Sequence, residues 1–390
     1  MLSDDILQAA ADRFGTPCYV YDLDIVSRQL ESLRAALPGA QVHYAVKANP
    51  CAAVLAHLAA SGAGAEVITL AELERSLAAG FAGRRIVFGG PGHDARVSER
   101  VREAGVGLIS IDSGSQAELW LDGHGDAGFL LRLNPGLDPQ THEHLATGAA
   151  TSKFGLAGGE VVRLAERLQA AGRLRGFHVH AGSQIDTVDV YDEILSRLEP
   201  LFLRFPGART LDIGGGFAVP HFPHAEFSRR IGEFVAEHEL ELIVEPGRYL
   251  VATCGFLVTR VLHVKDGPVR HVIADAGMAD LLRPALYGAR HPVRKLGAEG
   301  AATVVVDVDG PLCENADRLA RQVRLPAVRQ GDLLAVGDAG AYGFAMASNY
   351  ASSLRPAEVV VRGGRLALAR RRETVADIMR LESGSPDRVL

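Results

Sequence analysis

Val42-His43-Tyr44-Ala45-Val46-Lys47-Ala48-Asn49-Pro50 is an apolar, β-prone run that ends on a lysine just before a turn. Strand interiors are depleted in lysine, and lysine is almost never fully buried without a partner. The chain holds only four lysines, Lys47, Lys153, Lys265 and Lys295, and arginine supplies the rest of its 41 basic residues. Arginine stays protonated, whereas a desolvated lysine shifts its pKa readily. Lys47 therefore has two readings. One is an amine held at a strand end to form a Schiff base. The other is a strand-to-loop lysine with its head in water. The surrounding chain decides between them.

The strand at 42–46 is the first of a repeating series. Helical patterns at 25–36, 51–61, 71–80, 94–104, 115–121, 158–171, 188–204 and 225–238 alternate with apolar runs at 42–46, 65–69, 85–89, 107–111, 127–133, 175–181, 209–213 and 241–245. Glycines stand where helices end, at Gly62, Gly80, Gly105 and Gly172, as C-caps do. Alternating helices and strands imply a parallel sheet. Eight such units predict an α/β fold, a (β/α)8 TIM-like barrel over residues 24–254. A doubly wound open sheet is the alternative, but no GxGxxG opens the first unit. Beyond 255 the pattern changes to short β runs (256–264, 270–274, 302–308, 332–336, 357–362) separated by turns. We read a second, mainly antiparallel β domain built from 1–23 plus 255–390. It takes in a short N-terminal helix (3–14) and the strand Cys18-Tyr19-Val20-Tyr21, while the tail after Glu382 reads as loose.

Composition removes several function classes. The chain has 390 residues, 47% hydrophobic and 23% charged, which is ordinary for a soluble enzyme of more than one domain. A net charge of −6 with no basic cluster speaks against nucleic acid. No apolar run approaches membrane-spanning length, and the acidic N-terminus is unlike a signal peptide. Cys18, Cys51, Cys254 and Cys313 are scattered, without disulfide or metal spacing, so the expectation is a reduced, cytoplasmic protein.

In such a barrel, chemistry sits at the C-terminal strand ends. Lys47 falls there, as do His178-Val179-His180-Ala181-Gly182-Ser183, Gly214-Gly215-Gly216 and Glu245-Pro246-Gly247-Arg248. The glycines serve either as a flexible turn or as a close backbone approach to a phosphate. Glu245 is either a salt-bridge partner of an arginine or a carboxylate for a ligand. His178 and His180 alternate with Val179, as core histidines or as a metal pair. A lone HxH is a weak metal signal because zinc needs further ligands, and none has supporting spacing. A Schiff-base lysine, a phosphate cradle, a flat imidazole and a carboxylate together describe a pyridoxal phosphate site.

YAVKANP, HAGSQ, GGGF and EPGR resemble the fold-III pyridoxal phosphate decarboxylases, the alanine racemase and ornithine decarboxylase group. Five further segments resemble the diaminopimelate decarboxylase family: Asp275 to Tyr287, Gly310-Pro-Leu-Cys-Glu314, Gly340 to Tyr350, Thr147-Gly148 with Lys153-Phe154-Gly155, and Arg355-Pro-Ala-Glu-Val359. The resemblance runs from about residue 18 to 375. It implies pyridoxal 5'-phosphate as cofactor and an amino-acid substrate, meso-2,6-diaminopimelate, converted to L-lysine and CO2. By it, Lys47 anchors the cofactor and His180 stacks on it. Ser183, Gly216, Gly247 and Arg248 lie near its phosphate, and Glu245 meets its ring nitrogen. Arg248, Arg283, Tyr287 and Tyr342 bind substrate or the phosphate end. Cys313, a proton donor, and Glu314, a reader of the distal amino group, enter from the partner of a homodimer with shared active sites. The catalytic set is thus Lys47, His180 and Cys313, with no metal.

Physical logic supports these placements. Arg283 can pair bidentately with a distal carboxylate, Glu314 can receive an ammonium, and a positioned thiol can deliver one proton to Cα. A free cysteine is also commonly a small buried hydrophobe, but Glu314 and the Gly310-Pro311 turn place Cys313 on an exposed loop. The chain departs from the family pattern at Met278-Ala279-Asp280, where Asn is usual, at Tyr350 to Pro356, at Glu66-Val-Ile-Thr69, and at Phe88 to His93. These departures leave open a related amino acid or conjugate as substrate, as in ornithine or lysine decarboxylation or siderophore or antibiotic synthesis. A non-catalytic carrier of the cofactor and a metal-dependent barrel hydrolase using His178 and His180 are the more distant alternatives.

Overall fold

The computed structural model describes residues 2–121, 126–136, 152–298 and 302–382. Thr147, Gly148 and the tail beyond Glu382 lie outside the described residues. The chain forms two compact units, Val26–Leu250 and Met1–Ile25 with Val251–Leu390.

After β1 (Cys18–Asp22) come eight strands that close a parallel barrel: β2 (Gln41–Ala45), β3 (Gly64–Val67), β4 (Ile86–Phe88), β5 (Leu108–Ile111), β6 (Gly128–Leu133), β7 (Leu174–Val179), β8 (Thr210–Asp212) and β9 (Glu241–Val244). Nearly every residue of these strands is buried, because helices cover the outer face while side chains fill the inside. The helices start and stop where local chemistry dictates. Thr69 Oγ1 accepts the Glu72 N–H (3.2 Å) and Asp94 Oδ1 accepts the Val97 N–H (2.8 Å), each satisfying an orphan donor of a first turn. At the other ends Gly62, Gly80, Gly105 and Gly172 adopt positive φ.

The second unit continues with β10 (Gly255–Lys265), β11 (His271–Ala274), β12 (Val293–Lys295), β13 (Thr303–Asp309), β14 (Arg318–Pro326), β15 (Leu333–Val336), β16 (Ala357–Arg362) and β17 (Arg365–Arg370). They form one nine-stranded sheet in the order β14-β13-β11-β10-β1-β16-β17, with β15 joining β10 to β12. The N-terminal strand β1 sits in the middle, antiparallel to β10 and parallel to β16. Leu7, Ala10 and Ala11 of the first helix pack with Val20, Val258, Ala335 and Val359 in its core.

Three strands were not anticipated. β12 is three residues long, and β14 and β17 lie at the two ends of the sheet path, with much of their surface exposed. Edge strands carry charged side chains, so the arginines of Arg318-Leu-Ala-Arg-Gln-Val-Arg-Leu-Pro326 mask its alternation. Lys47 is also not the last strand residue: β2 stops at Ala45, and Lys47 is the middle of a single 3-10 turn, Val46–Ala48.

Candidate active site

Strand pairing places the interior polar residues in rows. Arg132, His178 and Asp212 are direct register partners across β6, β7 and β8, and Ala45 partners Glu66 across β2 and β3. Neighbours in one row of a barrel share a layer, so charges far apart in sequence meet inside it.

Lys47 Nζ donates to Glu66 Oε2 at 2.8 Å; the lysine side chain is 38% exposed and the glutamate 7%. Arg132 pairs with Asp112 at 3.4 Å, with both side chains buried. Asp112 Oδ1 also accepts the Gly155 N–H (2.9 Å), and the Arg132 guanidinium lies 4.8 Å from the Phe154 ring centre. This pair thereby anchors the Lys153-Phe154-Gly155 segment to the barrel.

His178 bridges two strands. Its Nδ1 is 2.7 Å from Ser110 Oγ and its Nε2 is 3.6 Å from Glu245 Oε2. Burial, helped by the charge of Arg132, holds the pKa of His178 and of His180 well below the usual histidine range, so both rings are neutral. His180 Nδ1 accepts the Gly215 N–H (3.1 Å), which leaves its Nε2 carrying the ring proton. Burial and neighbouring Asp212 hold the Glu245 carboxyl well above its ordinary range, and burial pushes Asp212 up to about 7.

The glycine run packs three loops together. A Cβ on Gly214 would lie 2.4 Å from His180 Nδ1, one on Gly215 2.3 Å from the Glu245 carbonyl, and one on Gly216 2.4 Å from the Gly182 carbonyl. Gly214 and Gly216 also adopt φ of +66° and +92°, so side chains are excluded there twice over. Gly214 N–H is donated to Asp212 Oδ1 (2.9 Å) and Gly215 N–H to His180. Nearby, Arg248 Nη2 donates to Ser183 Oγ at 3.4 Å. Gly247 lets the turn before Arg248 approach β2, with Ala45 and Ala48 Cβ atoms 3.1 Å from where its own Cβ would be.

In the second unit, Arg283 opens the helix Arg283–Tyr287, and its Nη1 lies 3.2 Å from His291 Nε2. Tyr287 is half-buried on the same helix. Tyr342 is half-buried with φ +56°, a strained setting for a bulky residue. Cys313 and Glu314 are exposed, and Tyr350 Oη donates to Glu314 Oε2 at 3.4 Å. Their loop is closed by Asp317. Its Oδ1 accepts the Met278 N–H (2.5 Å), its Oδ2 the Leu312 N–H (2.6 Å), its own N–H goes to the Glu314 carbonyl (2.9 Å), and its carbonyl accepts from Gly310 (2.8 Å).

The sequence comparisons bear directly on this geometry. The family model described as "Pyridoxal-dependent decarboxylase, pyridoxal binding domain" matches residues 23–252, which include all of the barrel. The chain belongs to the pyridoxal-dependent decarboxylases. It is a pyridoxal phosphate-dependent carboxy-lyase with the architecture of that family. Curated relatives named diaminopimelate decarboxylase include one from Deinococcus radiodurans, 41% identical over 98% of this chain and 99% of its own length. Another, from Pseudomonas aeruginosa, is 39% identical over 97% and 96%. The crystal structure of diaminopimelate decarboxylase from Helicobacter pylori complexed with L-lysine superposes with a TM-score of 0.90 at 30% identity, covering 96% of this chain and 98% of that one.

The residues present fit the cofactor of this family. Glu245 Oε1, Asp212 Oδ2 and His178 Nε2 are buried with no hydrogen-bond partner among the described residues, so polar atoms await a polar ligand. The half-exposed Lys47 amine stands above the same barrel interior, and its charge lowers the pKa of both Glu245 and His178. Sequence reading had placed Lys47, His180 and Glu245 together, as the structure does. It passed over Glu66, Ser110, Asp112, Arg132 and Asp212 as site residues. The available signal was an ionisable residue inside an apolar strand, as in Phe129-Leu-Leu-Arg-Leu133 and Thr210-Leu-Asp212. Such residues are almost never fully buried unless paired. Among the described residues, no helix is long and apolar enough to cross a membrane.

Proposed function

We infer that this chain decarboxylates meso-2,6-diaminopimelate to L-lysine and CO2. The observation that carries this is near-complete coverage by relatives named for that activity, joined to a barrel whose buried carboxyl and half-exposed lysine suit the family's cofactor. When bound, pyridoxal 5'-phosphate supplies an electron sink for the pair released at Cα.

The roles we assign to this chain's own residues follow from their settings. Lys47 is the amine that anchors the cofactor, and Glu66 orders it. Neutral His180 offers a flat, uncharged face, held in one tautomer by Gly215. Glu245 faces the ring nitrogen. We assign the phosphate to Gly216, Ser183, Gly247 and Arg248, together with Tyr342, as the family resemblance implies; the Gly214 and Gly215 N–H groups are already donated to Asp212 and His180. Arg248, Arg283, Tyr287, Tyr342 and Glu314 read the charged ends of the substrate, and the exposed Cys313 thiol holds the proton that Cα must receive. We assign the functional unit as a homodimer with shared active sites, which gives an exposed Cys313-Glu314 loop a site to enter. A cytoplasmic setting fits the scattered cysteines.

The test is spectroscopic and chemical. The purified protein should show a near-visible Schiff-base band that borohydride removes and that Lys47→Ala lacks, and CO2 should be released from diaminopimelate in preference to lysine or ornithine. Release from lysine or ornithine alone would transfer the assignment to a related amino acid. Activity abolished by a chelator but indifferent to borohydride would overturn it.

A further inference from the structure

The barrel interior holds more acid than its cations balance. Lys47 pairs with Glu66 and Arg132 with Asp112, while Asp212 and Glu245 stand together, 0% and 7% exposed. One oxygen of each carboxyl and one ring nitrogen of His178 lie within 4.8 Å of one another. The main chain locks them there: Asp212 Oδ1 accepts the Gly214 N–H (2.9 Å), and the Glu245 N–H is donated to the Gly214 carbonyl (2.7 Å). One oxygen of each carboxyl, Asp212 Oδ2 and Glu245 Oε1, has no hydrogen-bond donor among the described residues. Two buried carboxylates this close cannot both ionise at ordinary cost, and a proton between them supplies the missing donor.

We propose that Asp212 and Glu245 share a single proton in the barrel interior, and that Asp212 is the positioning residue that sets the charge Glu245 presents to the ring nitrogen. This rests on the placing of Glu245 at that nitrogen in the reading above. The groups that face the pair are neutral His178 from β7, Arg132 from β6, Glu66 from β3 and Lys47 from the turn after β2. Glu66 opposes ionisation, Lys47 favours it for Glu245 and Arg132 for Asp212. Desolvation outweighs both cations, and it is the largest influence on each carboxyl. The assignment makes the pair one coupled acid with one negative charge, not two independent carboxylates.

The cofactor-free protein provides the test, by infrared difference spectroscopy of protonated carboxyl groups across pH in H2O and D2O. Asp212→Asn keeps an oxygen for the Gly214 N–H and replaces the shared proton with an amide N–H. Asp280 and Glu72, raised by burial to about 7 and about 6, give bands of their own, so the reading is the wild-type-minus-variant difference. We expect one protonated-carboxyl band at neutral pH whose titration moves to lower pH in Asp212→Asn, because a neutral partner removes the repulsion that adds to desolvation in holding Glu245 protonated. Glu245→Gln should remove the same band, and it carries the test should Asp212→Asn fail to fold. The affinity for pyridoxal phosphate should vary with pH in the wild type over the range in which the band titrates, and that range should move down with the band in Asp212→Asn. A band that both substitutions leave unchanged would overturn the proposal, as would its absence from the wild type, whether or not elemental analysis finds a stoichiometric divalent cation. Failure to release CO2 from diaminopimelate would sink the substrate assignment while leaving the band unchanged, so the two failures are distinguishable.

Discussion

In the barrel, Asp212 and Glu245 are buried with an oxygen each left without a hydrogen-bond partner among the described residues. In the loop at 310–317, both oxygens of buried Asp317 accept main-chain N–H groups, and a Cβ on Gly277 or Gly310 would lie 2.1 or 2.3 Å from one of them. Unsatisfied buried polar atoms are costly, so the first arrangement marks a place still to be completed, by the proton the pair shares and by the polar edge of a ligand. The second marks a rigid self-contained support, whose purpose lies in what it presents: the exposed Cys313 and Glu314. On the roles proposed above, the first region would receive a ligand and the second would supply a thiol and a carboxylate.

That contrast can be broken at several points. Lys47→Ala should abolish turnover and the near-visible band together, read by absorbance and CO2 release; a band that survives would remove the barrel as receiver. Cys313→Ala should keep the band yet lower kcat by about 10²–10⁴-fold, the usual scale for a lost proton donor. An unchanged kcat would leave the loop with nothing to deliver.

Asp280 tests the second unit's own acids. Burial, with Asp275 and Asp317 adding to it, raises its carboxyl to about 7 from an unfolded value near 3.8. The folded state therefore resists ionisation. Stability attributable to this group is intact below pH 3.8 and falls as pH rises toward 7. Asp280→Asn should raise stability by up to about 4 kcal/mol at pH 8 and by little at pH 4, measured by Tm at both. An equal gain at both would show that charge is not the cause.

Asp317→Asn must turn an amide N–H toward a main-chain donor, costing about 1–3 kcal/mol. It should loosen the loop, seen as faster alkylation of Cys313 and a lower kcat with the cofactor band intact. Alkylation at the wild-type rate would mean that the loop holds without it. Smallest of all, Glu66→Gln should change stability by less than about 1 kcal/mol, because Lys47 is 38% exposed. A larger fall in Tm would make the pair a structural brace.

Much of this was legible in the sequence. The barrel was readable because parallel strands buried on both faces leave continuous apolar runs, separated by helices with a clear apolar face. Lys47, the His180 segment, the glycine run and Glu245 were readable because each sits just past such a run. β14 and β17 were not, since exposed strands at the ends of a sheet carry the charge pattern of loops. Nor was the brace by Asp317, whose partners Met278 and Leu312 offer only backbone.

By itself, then, the sequence determined the alternation of helices and strands in the barrel and the chemical kinds of residue that follow its strands, because period and turn chemistry are local. Only the tertiary structure decided which of these meet. Closing eight strands in register put Arg132, His178 and Asp212 in one row and brought Glu66 to Lys47. Register is a long-range property that no local pattern encodes. It is register, with the dryness of the barrel interior, that turns ordinary carboxyls at 212 and 245 into a coupled pair.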